Sequence, residues 1–212
     1  MSAALASVQK KRVVVFISGG GSNMLSLADA CESPDFPAEI VAVISDKPQA
    51  GGLAKANARG IQTLAFERKS YAGKAEHEAA ILETLADIQP DIICLAGYMR
   101  LISGEFISRY EGRMLNIHPS ILPLFPGLHT HQRALDAGMR VAGCTVHFVT
   151  EGMDEGPIVA QDCVPVHIDD TPDTLAARVL TVEHRLYPEA LALLATGGVS
   201  LKAGRAKFDP EG

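Results

Sequence analysis

Three short β-branched runs, Val13-Val14-Val15-Phe16-Ile17, Ile40-Val41-Ala42-Val43-Ile44 and Ile92-Ile93-Cys94-Leu95, are each followed by glycine or turn residues and then by a helical pattern. Strand, turn, helix and strand again is the signature of parallel strands joined by crossover helices. The runs are apolar throughout rather than alternating, so both faces of their sheet must be covered. Helical spacing is expected over 23–31, 52–59, 71–88, 103–110, 133–137 and 174–196, and two further strands over 144–149 and 157–166. No internal repeat or linker interrupts the pattern. The expectation is a single-domain α/β fold with a mostly parallel, doubly wound, Rossmann-like sheet and helices on both faces. It spans 12–200, with residues 1–11 and 202–212 as loosely ordered tails.

A polar pair breaks the apolar texture of one strand end, Met114-Leu115-Asn116-Ile117-His118-Pro119-Ser120-Ile121-Leu122-Pro123. Residues i and i+2 of a strand share a face, so the amide of Asn116 and the imidazole of His118 point into one space. Pro119 and Pro123 remove backbone donors, which ends the strand near His118 and leaves the pair at its carboxyl edge. In an open α/β sheet that edge is where ligands bind. Taken alone, the pair reads equally well as a hydrogen-bonded device that pins a turn. The Pro, Gly and His-rich stretch 122–132 that follows has the length of an ordered functional loop.

Ser18-Gly19-Gly20-Gly21-Ser22-Asn23 directly follows the first strand and opens a helix, which gathers free backbone N–H groups at a helix N-terminus. The dinucleotide fingerprint fails, because Met24 stands where G-x-G-x-x-G counted from Gly19 requires its third glycine, and no Lys-Ser/Thr pair supports a P-loop. A phosphate monoester fits the loop better than a nicotinamide cofactor or a nucleoside triphosphate; a plain glycine turn for tight strand–helix packing is the alternative. Asp154 lies in an acidic turn, Glu151-Gly152-Met153-Asp154-Glu155-Gly156-Pro157, that could carry its carboxylate to His118 and favour the imidazolium. By residue type alone it is an ordinary turn aspartate.

Other chemistries fit less well. His129 and His131 could join His118 and Asp154 around a metal, but their spacing lacks the helical or Cys/His pattern of zinc signatures, so no metal is expected. Ser120 has no G-x-S-x-G around it, which argues against a serine hydrolase. A net charge of −6 over 212 residues disfavours a nucleic-acid surface. The longest apolar runs are too short for a membrane span, and the leading residues do not form a signal peptide. Cys31, Cys94, Cys144 and Cys163 show no ligand spacing and read as reduced thiols, so a cytoplasmic setting is expected.

Four segments, Ile17-Ser18-Gly19-Gly20-Gly21-Ser22-Asn23, Leu95-Ala96-Gly97-Tyr98-Met99-Arg100, Leu115-Asn116-Ile117-His118-Pro119-Ser120-Ile121-Leu122-Pro123 and Asp154-Glu155-Gly156-Pro157, resemble those of the folate-dependent formyltransferases, in that family's order. The Gly-Ser-Asn loop narrows the resemblance, over about residues 12–200, to the members acting on glycinamide ribonucleotide in purine synthesis. The resemblance implies direct attack of the substrate amine on the formyl carbon of 10-formyltetrahydrofolate, without covalent intermediate or metal. His118 is then the general acid that stabilises the tetrahedral oxyanion, Asn116 donates to the same oxygen of the folate's formyl group, and Asp154 keeps His118 protonated or orders a shuttling water. Gly21, Ser22 and Asn23 would hold the substrate phosphate and Glu183 the ribose hydroxyls. Met99, Arg100, Leu101 and Ile102 would line the pterin pocket, and Arg68 would contact the folate side. Leu124 and Leu180 depart from family positions that often hold lysine and glutamine, which shifts the neutralisation of phosphate towards backbone amides.

Two relatives compete. A formyltetrahydrofolate deformylase uses water as acceptor and carries an added N-terminal domain; a methionyl-tRNA formyltransferase carries an added C-terminal one. The expectation is that the chain has room for neither. A non-catalytic module binding a phosphate ligand would keep the glycine loop without needing Asn116, His118 and Asp154 together. The implied partners are the two small substrates, with no nucleic acid or membrane, and a homodimer is left open.

Overall fold

The computed structural model describes residues 9–209. Strand β1 (Lys11–Ile17) leads into α1 (Ser22–Cys31), β2 (Ala38–Ser45), α2 (Gly51–Asn57), β3 (Gln62–Ala65), a 3-10 turn (Arg68–Ser70), α3 (Lys74–Ile88) and β4 (Ile92–Leu95). There follow α4 (Gly104–Arg109), β5 (Met114–His118), α5 (Thr130–Asp136), β6 (Val141–Phe148), β7 (Ile158–Pro165), α6 (Pro172–Thr196), β8 (Val199–Lys202) and β9 (Arg205–Phe208). The main sheet runs β3-β2-β1-β4-β5-β6-β7. β1 to β5 are parallel, and β6 and β7 add antiparallel pairings at one end. The expected α/β class and mostly parallel, doubly wound sheet are therefore observed.

β1 sits at the centre because every residue from Val13 to Ile17 is apolar and at most 1% exposed. Its alternating side chains serve two cores: Val13, Val15 and Ile17 pack with Leu27, Leu175 and Tyr187 from α1 and α6, while Val14 and Phe16 pack with Ile81, Leu85 and Phe106 from α3 and α4. The strand order reverses between β1 and β4, which opens a crevice at their carboxyl ends. The fully buried Tyr187 hydroxyl lies 3.0 Å from the Leu95 carbonyl and 3.1 Å from that of Leu115, and so clamps α6 beneath the ends of β4 and β5. α6 is started by a capping box between Thr171 and Thr174 with Pro172 in its first turn.

Several boundaries differ from expectation. β3 was not expected, because its four residues are all at least partly exposed and carry no continuous apolar run; it is an edge strand paired only with β2. α3 starts at Lys74 rather than residue 71, since the 3-10 turn and the extended Gly73 precede it. The loose tail expected from Lys202 is corrected for residues 202–208. They complete a hairpin whose two turn residues, Ala203 and Gly204, both have positive φ, and Leu201 and Ala206 pack on the core. At the other end residues 1–8 lie outside the described residues, but Lys10 is held by the carbonyls of Cys31 and Ser33, and Lys11 opens β1. Among the described residues no helix is long and apolar enough to cross a membrane.

Candidate active site

A cleft of about 730 Å³ opens at the carboxyl edge of β4 and β5, where Asn23, Met99, Asn116, His118, Asp154 and Glu183 all reach its wall. β5 places Asn116 and His118 two residues apart on that wall, as the strand period requires. His118 is 6% exposed, with Nδ1 3.3 Å from Asp154 Oδ2 and Nε2 3.0 Å from the Phe125 carbonyl oxygen. A carbonyl only accepts, so Nε2 carries a proton in this arrangement. Asp154 is offered from the loop between β6 and β7 with φ 57, and its Oδ2 also accepts from the Gly127 backbone N–H at 2.8 Å. One carboxylate thereby joins the imidazole to the 122–132 loop.

Asn116 does not pair with His118. Its Nδ2 lies 3.1 Å from Nε2 of His147, a residue of β6 directly across the ladder from Asn116. His147 Nδ1 lies 2.8 Å from the Phe148 carbonyl, which fixes the proton on Nδ1 and leaves Nε2 as acceptor. Burial pushes the His147 pKa down, against the smaller opposing pull of the Phe148 carbonyl and Asp154, so a neutral ring is favoured. Of the two Nδ2 hydrogens of Asn116, one is spent on His147 and the other is left for the cleft. His147 was not singled out in the sequence; cross-strand pairing, which only topology supplies, makes it part of the site.

Of the predicted phosphate-loop residues only Asn23 lines the cleft; two residues before it Gly21 caps α1 with φ 69, and a Cβ there would come within 2.9 Å of the Gly52 Cα. Glycine is required, and α1 can begin with its first-turn N–H groups turned outward. Gly52 N donates to the Gly19 carbonyl at 3.0 Å and Lys55 Nζ to that of Gly20 at 2.9 Å, so α2 braces the loop and sets a cation on it. Lys55 was likewise not foreseen. Asn23 Nδ2 donates to Glu183 Oε2 at 2.6 Å, while Asn23 Oδ1 is buried without a partner. Burial raises the Glu183 pKa and the Asn23 amide opposes the rise. Side by side, an orphaned acceptor and a buried carboxylate suit a ligand that offers hydroxyl donors.

After β4, residues 97–102 separate the cleft from a second hollow of about 350 Å³. Met99 and Leu101 are 65% and 62% exposed, an apolar edge suited to a flat ring. Arg68 lines the hollow rather than the cleft, and its guanidinium donates to the Tyr71 carbonyl at 3.1 Å. His129 caps α5 with φ 57. His131 Nε2 is buried without a partner, and burial lowers its pKa, aided by the nearby His118. Among the described residues no group of three or more His, Cys, Asp or Glu is placed to hold a metal ion.

The formyl transferase family matches residues 11–191. A phosphoribosylglycinamide formyltransferase from Escherichia coli is 40% identical over 197 residues, 93% of each chain. The crystal structure of a phosphoribosylglycinamide formyltransferase from Brucella melitensis is similar with 69% identity and a TM-score of 0.86, over 89% of this chain and 97% of that one. The trifunctional purine biosynthetic protein adenosine-3 of Bos taurus is 49% identical over 193 residues, 91% of this chain, but the chain spans only 19% of that protein's length.

Proposed function

This chain belongs to the formyl transferase family, and on that premise we propose that it transfers the formyl group of 10-formyltetrahydrofolate to the amine of glycinamide ribonucleotide. The observation that carries the reading is His118, held by Asp154 at the cleft wall beside Asn116, with the glycine-capped start of α1 adjoining the cleft through Asn23 and the apolar residues Met99 and Leu101 along its wall. Gly21, Ser22, Asn23 and Lys55 suit the phosphate, and Glu183 with the free Asn23 Oδ1 suits the ribose hydroxyls. Met99, Arg100, Leu101 and Ile102 suit the pterin, with Arg68 beyond them in the adjoining hollow on the folate's acidic side.

In the proposed reaction the amine nitrogen attacks the formyl carbon, and the carbonyl electron pair moves onto oxygen. The remaining Nδ2 hydrogen of Asn116 and the Nε2 proton of His118 stabilise that oxyanion, once substrate oxygen replaces the Phe125 carbonyl at Nε2. Asp154 holds the opposite ring nitrogen and so fixes the ring's orientation. Collapse expels the folate nitrogen, and the proton lost by the amine goes to that leaving nitrogen. The four cysteines are free thiols, with Cys94 and Cys144 buried, which suits the reducing cytoplasm expected from the sequence.

Mixing the protein with 10-formyltetrahydrofolate, with and without glycinamide ribonucleotide, tests the reading. Turnover that requires the nucleotide is expected. Equal turnover with water alone would point to a deformylase, and none with either to a binding module.

A further inference from the structure

We propose that Asp46, a buried acid at the end of β2 that no step of the reaction uses, is a positioning residue for the folate-binding ledge. It rests on the reading that residues 99–102 receive the folate. Asp46 is 3% exposed, and its two oxygens face different elements. Oδ1 accepts from the Ser18 hydroxyl at 2.6 Å, and Oδ2 accepts from Arg100 Nε at 2.7 Å. The Ser18 oxygen in turn accepts from the Met99 backbone N–H at 2.8 Å. One carboxylate thus fixes both Met99, through its backbone, and Arg100, through its side chain. At the far end of the same segment Glu78, also buried, accepts from the Ser103 N–H at 3.1 Å and from the Ser103 hydroxyl. A ledge whose side chains are more than half exposed at Met99 and Leu101 has little packing of its own to hold it. Two buried acids, one at each end, supply that hold.

The phosphate loop shares only its first residue, Ser18, with that carboxylate. Gly19 and Gly20 are held from α2 by Gly52 N and Lys55 Nζ, and Ser18 N bonds to the Gly97 carbonyl at 3.1 Å through backbone alone. Loss of the Asp46 carboxylate is therefore expected to loosen the folate ledge and spare the nucleotide end. Asparagine at this position still accepts from Arg100 and donates to Ser18, whereas alanine does neither.

The test is titration of tetrahydrofolate onto the whole protein, together with KM values for both substrates. Asp46→Ala is expected to weaken tetrahydrofolate binding and raise the folate KM about tenfold, with kcat and the nucleotide KM within about twofold, and Asp46→Asn to recover most of the loss. Tetrahydrofolate affinity in Asp46→Ala within about twofold of the wild type, or equal losses for both substrates, would overturn the proposal. So would an Asn variant as weak as Ala, since charge rather than bonding geometry would then be at work. Should Asp46→Ala fail to fold, Ser18→Ala, which removes the bonds from Ser18 to Asp46 and from Met99 to Ser18 but leaves the Arg100 pair, is expected to raise the folate KM about threefold, and no change would overturn the proposal. A wild-type protein that binds no tetrahydrofolate would overturn the functional reading itself, which separates the two failures.

Discussion

His118 Nδ1 and Asp154 Oδ2 face each other at 3.3 Å, and the second oxygen of the same carboxylate lies 3.8 Å from Nε2 of His147. One acid from a loop thus addresses imidazoles on two adjacent strands, with the amide of Asn116 bridging towards His147.

Asp154→Asn keeps an acceptor for the Gly127 N–H but removes the charge opposite His118. Stabilisation that matters most once an oxyanion forms is lost, so kcat is expected to fall about a hundredfold while KM values move about threefold or less. Steady-state kinetics of the purified variant checks this.

Burial lowers the pKa of His147, and also those of His131 and His184. The native state then binds fewer protons than the unfolded chain, whose histidines titrate near 6.5. Their contribution to stability is complete above that value and declines as pH falls below it. Urea midpoints are expected to drop between about pH 7 and pH 5, with a shallower drop in His147→Gln. His147→Leu, which leaves the Asn116 amide without an acceptor on β6, is expected to lower kcat about tenfold.

Glu183 titrates in the opposite sense. Its pKa is raised by burial, so the stability tied to its protonated form is complete below the unfolded value of about 4.5 and is lost as pH rises through the raised one. At neutral pH the buried carboxylate is a cost. Glu183→Gln is expected to melt higher than the wild type near pH 7.5 and to bind the nucleotide about tenfold more weakly, as compared by thermal unfolding and nucleotide KM.

Gly21→Ala combines a left-handed backbone with a Cβ 2.9 Å from the Gly52 Cα. A loss of about 1–3 kcal/mol is expected, along with a raised nucleotide KM, because α1 and α2 must separate at the phosphate loop. Chemical denaturation and kinetics read both effects.

The sequence was most legible where one physical signal dominated. Continuous apolar runs marked β1, β2 and β4, and Pro119 marked the end of β5 close to His118. The short edge strand β3 and the β8–β9 hairpin carry little apolar signal, and only packing against neighbours defines them. Asn116 and His118 stood out as a polar pair in an apolar strand end, whereas Asp154 by residue type alone was an ordinary turn aspartate; the fold brings His118 and Asp154 into contact. Asn116 turned to His147 instead, a partner set by the register of β5 against β6. Asp46 and Lys55 were equally silent, because an acid after a strand and a lysine on a helix look like ordinary surface residues until the loops they brace are seen.

Following an isotopically labelled formyl carbon through a single turnover, with enzyme in excess over 10-formyltetrahydrofolate and with saturating glycinamide ribonucleotide, tests the formyl-transfer site most directly. The label is expected in the amide of the formylated nucleotide, with no formate released. Label recovered as formate, or retained on the folate, would contradict a transferase site built on His118, Asn116 and Asp154.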